Sequence, residues 1–302
     1  MPPPPADHAA RLERARLALE GLSLGDAFGQ CFFTNPALVE GLIAARAVPA
    51  PPWPYTDDTV MALSVYEVLA ETGRLDQDRL ALAFARRYVE EPRRGYGGGA
   101  HTLLRQLAEG EPWQRAAPAL FEGQGSFGNG GAMRVAPLGA YFADDLGALV
   151  EAARASAEVT HAHPDGQAGA VAVAAAAAFA CSRRGAGGRE LLAFAHAHTP
   201  PGATRDGIGH AAGLPEGCSV RLAASALGSG ALVSSADTVP FSLWCAARCL
   251  DDFEGALWLT VAGLGDRDTT CAIVGGIVAL SVGRDALPTD WLAAREPLPP
   301  GP

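Results

Sequence analysis

Two short acidic segments have the residue types and spacing of a metal site. They are Thr56-Asp57-Asp58 and Asp266-Arg267-Asp268-Thr269, and each leads into an apolar helical stretch. Taken singly, either segment also fits a helix start, where Thr and Asp are favoured caps and carboxylates suit the helix dipole. Together they offer four carboxylates and two hydroxyls, which are hard oxygen ligands of the kind that Mg²⁺ or Mn²⁺ prefers. If the two helix starts face one another, they can hold two metal ions about 3.5–4 Å apart.

Two glycine-rich segments have the character of phosphate-binding loops. Residues 94–99 and 123–131 each run into a predicted helix. Glycine lacks a Cβ, so the backbone can approach an anion closely, and the amides at a helix start point towards it. Two such loops suit a diphosphate, with Ser126 and Asn129 donating further hydrogen bonds and Phe127 stacking on a base. A flexible loop that binds nothing is the simpler alternative.

Histidine and serine chemistries fit the sequence less well. His161 and His163 form a His-x-His pair, but oxygen ligands elsewhere are plentiful, so helix capping or a place in the wall of a ligand site is expected. An esterase would show Gly-x-Ser-x-Gly after a strand. The segments around Ser126 and Ser229 have other spacings, and no predicted strand precedes them.

The elements that position these segments are predicted to be helices. Apolar residues recur with a 3.6-residue period and alternating strand patterns are scarce, so the expected fold class is all-α. No repeat or polar linker divides the chain, which predicts a single domain over residues 8–295, with 1–7 and 296–302 as disordered tails. The predicted helices cover 9–29, 57–72, 77–90, 100–109, 131–141, 144–160, 165–183, 189–198, 219–227, 240–250, 252–263 and 268–283, with 199–216 among the connections.

The composition excludes several classes of function. A net charge of −10 argues against a general nucleic-acid or anionic-membrane surface. All 23 basic residues are arginines, which excludes a P-loop lysine and Schiff-base catalysis. The six cysteines form no CxxC pair and no signal-peptide pattern is present, so free thiols and a cytoplasmic location are expected. No apolar stretch has the length of a membrane span.

Six motifs, in order along the chain, resemble those of the ADP-ribosylglycohydrolase family. They are Gly25-Asp26-Ala27-Phe28-Gly29, Tyr55-Thr56-Asp57-Asp58-Thr59, Gly95-Tyr96-Gly97, Gly128-Asn129-Gly130-Gly131-Ala132-Met133-Arg134, Thr160-His161 and Gly265-Asp266-Arg267-Asp268-Thr269. The resemblance covers nearly the whole chain. It implies an all-α orthogonal multi-helix bundle with a binuclear Mg²⁺ centre, or a Mn²⁺ centre, at the base of a cleft.

The resemblance also implies roles for individual residues. The implied metal ligands are Thr56, Asp57, Asp58, Asp266, Asp268 and Thr269. Substrate binding is expected at Gly97, Gly98, Gly99, Ser126, Phe127, Gly128, Asn129, Gly130, Gly131, Met133 and His161, with Phe127 and His161 at the adenosine. Asp26, deep within its helix, is expected to support the fold or the metal ligands.

One position departs from the family pattern. Many relatives carry a glutamate four residues past the second glycine of the first motif, and in the serine-directed hydrolases that glutamate is assigned a catalytic role. Here the position is Phe33. An arginine guanidine or a free nucleotide-like compound is therefore an alternative to serine as the acceptor.

The predicted function is hydrolysis of the N- or O-glycosidic bond at C1″ of ADP-ribose that is attached to a protein side chain or a small acceptor. Asp58 or Asp268 is the expected base that deprotonates the attacking water. Two alternatives stay open, a catalytically silent ADP-ribose binder or structural relative, and a two-metal phosphoesterase. The sequence indicates no oligomeric state.

Overall fold

The computed structural model describes residues 4–299, and within them the fold is all-α, as predicted. Its α-helices are α1 (His8–Gln30), α2 (Pro36–Ala44), α3 (Asp57–Thr72), α4 (Gln77–Glu90), α5 (Gly98–Ala108), α6 (Trp113–Gly123), α7 (Gly130–Met133), α8 (Ala136–Tyr141), α9 (Leu146–Glu158), α10 (Pro164–Ser182), α11 (Gly188–His198), α12 (Ala203–Gly213), α13 (Val220–Leu227), α14 (Ser235–Arg248), α15 (Phe253–Val261), α16 (Arg267–Val282) and α17 (Thr289–Ala294). The β-type pairing in this part of the chain consists of two isolated bridges, Trp53 with Arg295 and Gly128 with Ser234.

Helices α1 and α16 pack with their backbones in contact. A Cβ added to Gly25 would lie 2.0 Å from the backbone oxygen of Cys271, and one added to Gly275 would lie 2.3 Å from that of Gly21. Only glycine allows this approach, because any side chain would overlap the opposite helix. The contact places Asp26, in the last two turns of α1, beside the start of α16.

Helix α10 is the central buried helix of the fold. Its residues 168–180 are all buried, and most of them are alanines. A helix that is apolar all round belongs inside a large core, and small side chains let neighbouring helices approach closely. Helices α7, α8, α9, α11, α14 and α16 all contact α10.

Helices α3 and α4 begin and end where the sequence predicts, and most others agree to within three residues. The predicted helix 131–141 is wrong, because it is interrupted between α7 and α8. Pro137 explains the break, since a proline ring inside a helix clashes with the carbonyl four residues earlier. The prediction of a connection over 199–216 is also wrong, because α12 lies within it. Its glycine Gly207 packs against Pro240 of α14, where a Cβ would lie 2.5 Å from the proline ring.

The first residue of the predicted tail 296–302 contacts the rest of the fold. The backbone amide of Glu296 donates to the Trp53 carbonyl at 2.8 Å, and its carboxylate accepts from Arg94 at 2.7 Å. These contacts fix the chain at the start of the predicted tail 296–302. Residues 1–3 and 300–302 lie outside the described part of the chain, and the domain limits 8–295 stay a prediction. The six cysteines are free thiols, as predicted. No described helix is both long and apolar enough to cross a membrane.

Candidate active site

Asp26 fixes the start of α3 from inside α1. Its carboxylate accepts hydrogen bonds from the Thr56 amide at 2.9 Å and hydroxyl at 2.9 Å, and from the Thr59 amide at 3.1 Å and hydroxyl at 2.6 Å. Asp26 is fully buried. The first turn of α3 is therefore held by a carboxylate from another helix, and the two acidic residues that follow Thr56 are fixed in place.

The starts of α3 and α16 do face one another, as the metal-site interpretation requires. One carboxylate oxygen from each of Asp26, Asp58 and Asp268 lies within 4.8 Å of the others. The Asp58 oxygen Oδ1 is buried and has no hydrogen-bond partner in the described chain. A buried, unpaired carboxylate oxygen beside another carboxylate fits a cation as its missing partner, and hard oxygen donors of this kind suit Mg²⁺ or Mn²⁺.

Burial and mutual repulsion disfavour the charged forms of these carboxylates. Loss of solvation, followed by the negative charge of Asp26, raises the pKa of Asp57 to about 7. Loss of solvation raises the pKa of Asp26 to about 6, although its four hydrogen bonds act in the opposite direction. The pKa values of Asp58 and Asp268 lie well above the usual range for the same reasons, burial first and neighbouring carboxylates second. No ion pair within residues 4–299 neutralises this cluster.

Asp266 and Thr269 complete the second acidic segment. The Asn129 side chain donates to Asp266 Oδ2 at 2.8 Å and to Thr238 Oγ1 at 3.0 Å, so it connects the second glycine loop to α14 and α16. Thr269 donates its amide to Asp268 Oδ1 at 2.8 Å. Gly230 lies against Asp266 with φ +85°, where a Cβ would be 2.5 Å from the Asp266 Cβ. The loop between α13 and α14 therefore packs closely against Asp266.

A cavity of about 570 Å³ extends from the carboxylate cluster. Its acidic end is formed by Asp57, Asp58, Asp266, Asp268 and Thr269, and its walls include Gly97, Gly98, Gly99, Ser126, Phe127, Gly128, Asn129, Gly130, Met133 and His161. The structure thus brings the acidic segments and both glycine loops around one space. Cavities of a few hundred Å³ are the usual size for small-molecule sites.

Two predicted residues do not line this cavity. Thr56 is buried behind the carboxylates, where its hydroxyl lies 2.9 Å from Asp26 Oδ1 and 3.1 Å from Asp58 Oδ2. Gly131 is also buried, and a Cβ there would lie 3.2 Å from the Ala157 Cβ of α9. Gly131 therefore serves close helix packing in this structure, and a substrate contact there stays a prediction. His163 caps α10 by accepting from the Asp165 amide, as one interpretation of the histidine pair expected.

Several residues of the cavity wall belong to no motif in the sequence. Phe121 lies beside Phe127, with ring centroids 6.2 Å apart, and both rings are about half exposed. Leu232 and Val233, on the loop between α13 and α14, also line the cavity. That loop docks on the second glycine segment, since the Asn129 amide donates to the Val233 carbonyl at 3.1 Å. The sequence feature that could have pointed to Leu232 and Val233 is the pair of glycines 228 and 230, because they indicate a tight loop.

Phe33 lies outside the cavity wall. Its ring is 46% exposed and stacks under the guanidinium of Arg267, whose central carbon is 4.3 Å from the ring centroid. Burial lowers the pKa of Arg267 from its ordinary value. The position that carries a glutamate in many relatives therefore holds a cation–π pair here.

The sequence model of the ADP-ribosylglycohydrolase family matches residues 7–298. The chain belongs to this family. Human ADP-ribosylhydrolase ARH3 is 29% identical over 334 residues, and the match covers 95% of this chain and 90% of the human protein. An uncharacterized protein of Archaeoglobus fulgidus is 30% identical over 299 residues, with 93% and 90% covered.

A solved structure described as an ADP-ribosylglycohydrolase-related protein complex shares the fold. It superposes with a TM-score of 0.66 at 26% identity and covers 95% of this chain and 93% of that chain. The family resemblance, the all-α fold and the enzyme class predicted from the motifs are confirmed. This ADP-ribosylglycohydrolase is a hydrolase of ADP-ribosyl compounds with a buried acidic group that can bind a metal ion.

Proposed function

We propose that the chain is a metal-dependent ADP-ribosylhydrolase that cleaves the glycosidic bond at C1″ and releases free ADP-ribose. Its substrate is an ADP-ribosylated protein or a small ADP-ribosyl compound. The observation that supports this most is the position of the unpaired Asp58 oxygen, buried at the acidic end of a cavity whose walls are glycine loops. A cavity with one acidic end and glycine-rich walls suits a ligand with a sugar diol at one end and a diphosphate in the middle.

The proposed metal ligands are the six residues of the two acidic segments, Thr56, Asp57, Asp58, Asp266, Asp268 and Thr269. We propose two Mg²⁺ ions, with Mn²⁺ as the alternative, because every donor is a hard oxygen. Bound ions would supply the positive charge that orients the hydroxyls of the distal ribose and the attacking water. Asp26, whose two oxygens already accept four hydrogen bonds from α3, supports these ligands as a positioning residue.

The rest of the cavity suits the remainder of ADP-ribose. The backbone amides near Gly97 and Gly98 lie at the start of α5 and line the cavity, where they favour an anion. The rings of Phe121 and Phe127 are tilted by 38° and line the same cavity, which suits stacking on the adenine. We propose that the diphosphate lies along the glycine loops, with the base at the two phenylalanines.

The chain's own contribution to bond cleavage is a proton acceptor. Asp58 or Asp268 takes a proton from the water that attacks C1″. The carboxylates along the cavity are Asp57, Asp58, Asp266 and Asp268, all of them proposed metal ligands. The cavity wall within residues 4–299 therefore offers no separate carboxylic acid to protonate a leaving group.

This distribution of acids favours a leaving group that needs no added proton. An arginine-linked ADP-ribose carries a cationic guanidinium and leaves as a neutral guanidine, whereas serine would leave as an alkoxide unless it is protonated. We therefore propose arginine-linked ADP-ribose as the preferred substrate over the serine-linked form.

Incubation of the purified protein and Mg²⁺ with ADP-ribosyl-arginine, ADP-ribosyl-serine and O-acetyl-ADP-ribose tests these proposals. Release of free ADP-ribose supports the hydrolase. Binding without release would indicate the silent binder, and release of inorganic phosphate the phosphoesterase. A rate on the serine conjugate equal to or above that on the arginine conjugate would contradict the acceptor preference alone.

A further inference from the structure

The His161 imidazole lies in the cavity wall with one nitrogen free. The residue is 9% exposed, and its Nε2 has no hydrogen-bond partner among residues 4–299. A Cβ on Gly130 would lie 3.0 Å from the ring carbon Cε1 and 3.2 Å from Nε2, and one on Gly128 would lie 3.3 Å from Nε2. Both glycines leave the Nε2 edge of the ring uncovered beside the second glycine loop.

The other ring nitrogen, Nδ1, is 2.7 Å from the hydroxyl of Thr160. That hydroxyl has two further neighbours. The guanidinium of Arg134 donates to it through Nη2 at 2.8 Å, and the Ala157 carbonyl lies 3.4 Å away. The direction of the bond between Thr160 and His161 therefore depends on where the single hydroxyl proton goes.

Two of the three neighbours do not accept that proton. Arg134 has donors only, so it uses the Thr160 oxygen as an acceptor. The Ala157 carbonyl already accepts from the Thr160 amide at 2.9 Å and from the His161 amide at 2.7 Å, which uses both of its lone pairs. The hydroxyl proton is left for Nδ1, which is also much closer than the carbonyl. Nδ1 is then the acceptor, and the ring proton of neutral His161 is on Nε2.

Arg134 is held in one orientation. It is fully buried, its Nη1 donates to the Gly130 carbonyl at 3.1 Å and its Nη2 donates to the Ser156 carbonyl at 2.9 Å, while its guanidinium carbon lies 4.5 Å from the Phe84 ring centroid. Burial lowers the pKa of Arg134 to about 9, which leaves it a cation at neutral pH. Burial first, and the charge of Arg134 second, lower the pKa of His161 to about 3, so the imidazole is neutral.

We propose that Arg134 and Thr160 are positioning residues that hold His161 in its Nε2–H tautomer, so that it presents a hydrogen-bond donor to an oxygen of the ADP-ribosyl group. The identity of that ligand rests on the proposed function, whereas the tautomer does not. A neutral Nε2–H donor favours a ligand oxygen, which accepts a hydrogen bond, over a ligand group that donates one. It does so without adding a charge to the cavity.

Nitrogen NMR of the full chain tests the tautomer directly. The protein is labelled with ¹⁵N-histidine, and His161 is assigned by the signals that disappear in His161→Gln. The expected result is an unprotonated Nδ1 and a protonated Nε2 in the protein without ligand at neutral pH. Added ADP-ribose is expected to shift the Nε2–H signal. A proton on Nδ1, or a charged ring, would overturn the proposal.

Thr160→Val removes the hydroxyl but keeps the shape, and Thr160→Ser keeps the hydroxyl. Without the hydroxyl, Nδ1 loses its donor and both tautomers are expected, with about tenfold weaker binding of ADP-ribose. The serine variant is expected to keep the tautomer and the affinity. Thr204→Val is the matched control, because the Thr204 hydroxyl is buried without a partner and does not line the cavity.

The outcomes separate this proposal from the proposed function. If the wild-type protein does not bind ADP-ribose but shows the Nε2–H tautomer, the positioning of His161 by Arg134 and Thr160 is supported and the ligand assignment is wrong. If Thr160→Val keeps both the wild-type tautomer and the affinity, Thr160 does not position His161, whatever the enzyme hydrolyses. If Thr160→Val does not fold, the wild-type tautomer and the Thr160→Ser spectrum still decide.

Discussion

Asp58 is the residue at which burial and chemistry conflict most strongly. It is 2% exposed, one of its oxygens has no partner in the described chain, and its neighbours are carboxylates. A group of this kind destabilises the protein unless a cation joins it, because an unpaired charge loses its solvation on burial. We therefore expect the carboxylate cluster to lower the stability of the metal-free protein and to stabilise the protein once a metal ion is bound.

Asp58→Asn should abolish the response to metal. We expect the metal-free variant to be at least as stable as wild type, because a buried negative charge is removed. The increase in Tm on adding Mg²⁺ should be lost, and release of ADP-ribose should fall by about 100-fold or more, on the order of 2.7 kcal/mol of activation free energy. Thermal melting and a product assay measure both effects. Asp285→Asn, at an exposed position in the short 3-10 helix Arg284–Ala286, is the control. An undiminished Mg²⁺ response in Asp58→Asn would exclude Asp58 as a ligand.

The pKa values of the same carboxylates predict how the stability of the metal-free protein depends on pH. The pKa of Asp26 is about 6 and that of Asp57 about 7, both above the roughly 3.9 of an unfolded aspartate. The folded state therefore binds more protons between these limits, so the free energy of unfolding falls as pH rises from about 4 to about 7. Melting in EDTA from pH 5 to 8 should show a decreasing Tm. Saturating Mg²⁺ should reduce the decrease, and a Tm that rises over this range would contradict the assignment.

At this scale the sequence revealed residue types and spacing but not all roles. Four carboxylates and two hydroxyls could be identified as hard ligands from their spacing alone. The hydrogen bonds from Thr56 and Thr59 to Asp26 link α1 to α3 across thirty or more residues. The direction of the hydrogen bond between Thr160 and His161 depends on which carbonyl lone pairs are already used. Contacts of this kind depend on tertiary structure, so no local pattern reports them.

Among the elements, the pair α1 and α16 determines the geometry of the site. Their glycine contacts bring Asp26 to Asp268, one from the end of a helix and the other from the start. The predicted bounds of α3 and α4 were correct because each begins with a side-chain cap, Thr56 or Asp76. Helix α12 was missed because its glycines look like loop residues, although Gly207 is there for packing against α14.

Gly25→Ala should separate α1 from α16. The added Cβ would lie 2.0 Å from the Cys271 backbone oxygen, so the helices must move apart. We expect a loss of stability of about 1–3 kcal/mol, typical of overpacking, together with weaker metal binding. Chemical denaturation and a Mg²⁺ titration measure these effects.

Gly41→Ala is the matched control. It lies in α2, and nothing is within 4 Å of the added Cβ. It should be neutral or gain up to about 1 kcal/mol from higher helix propensity. If Gly25→Ala behaved like this control, close packing of α1 and α16 would not matter to the site.

The end of α6 determines where Phe121 points. Phe121 and Glu122 have φ values of +52° and +59°, which turn the chain so that the Phe121 ring comes to lie beside Phe127. Stacking on a base is worth about 1–3 kcal/mol per base, so Phe121→Leu and Phe127→Leu should each weaken ADP-ribose binding by about tenfold. Phe127→Tyr keeps the ring and should bind like wild type. Calorimetric affinities of all three variants test this, and equal affinities for Phe127→Leu and Phe127→Tyr would place the base elsewhere.

At the scale of the whole molecule, the site is assembled from regions far apart in the sequence. The start of α3, the start of α16, the glycine loops before α5 and α7 and the loop before α14 all meet around one cavity. The order of the motifs indicated the family, and the family match over residues 7–298 shows that they belong to one architecture. The sequence predicted which segments matter. The sequence did not predict the rest of the cavity wall, which includes Leu232, Val233 and Phe121. These residues belong to no motif, so only the folded structure shows their position.

The central claim is that turnover depends on a metal held by the buried carboxylates. The most direct test is the rate of ADP-ribose release from ADP-ribosyl-arginine as Mg²⁺ is added back to EDTA-treated protein, for wild type and Asp268→Asn in parallel. The expected result is a rate that rises from background to saturation in wild type and stays about 100-fold lower in Asp268→Asn at every Mg²⁺ concentration. Full activity of the wild-type protein in EDTA, or an unchanged Mg²⁺ dependence in Asp268→Asn, would contradict the claim.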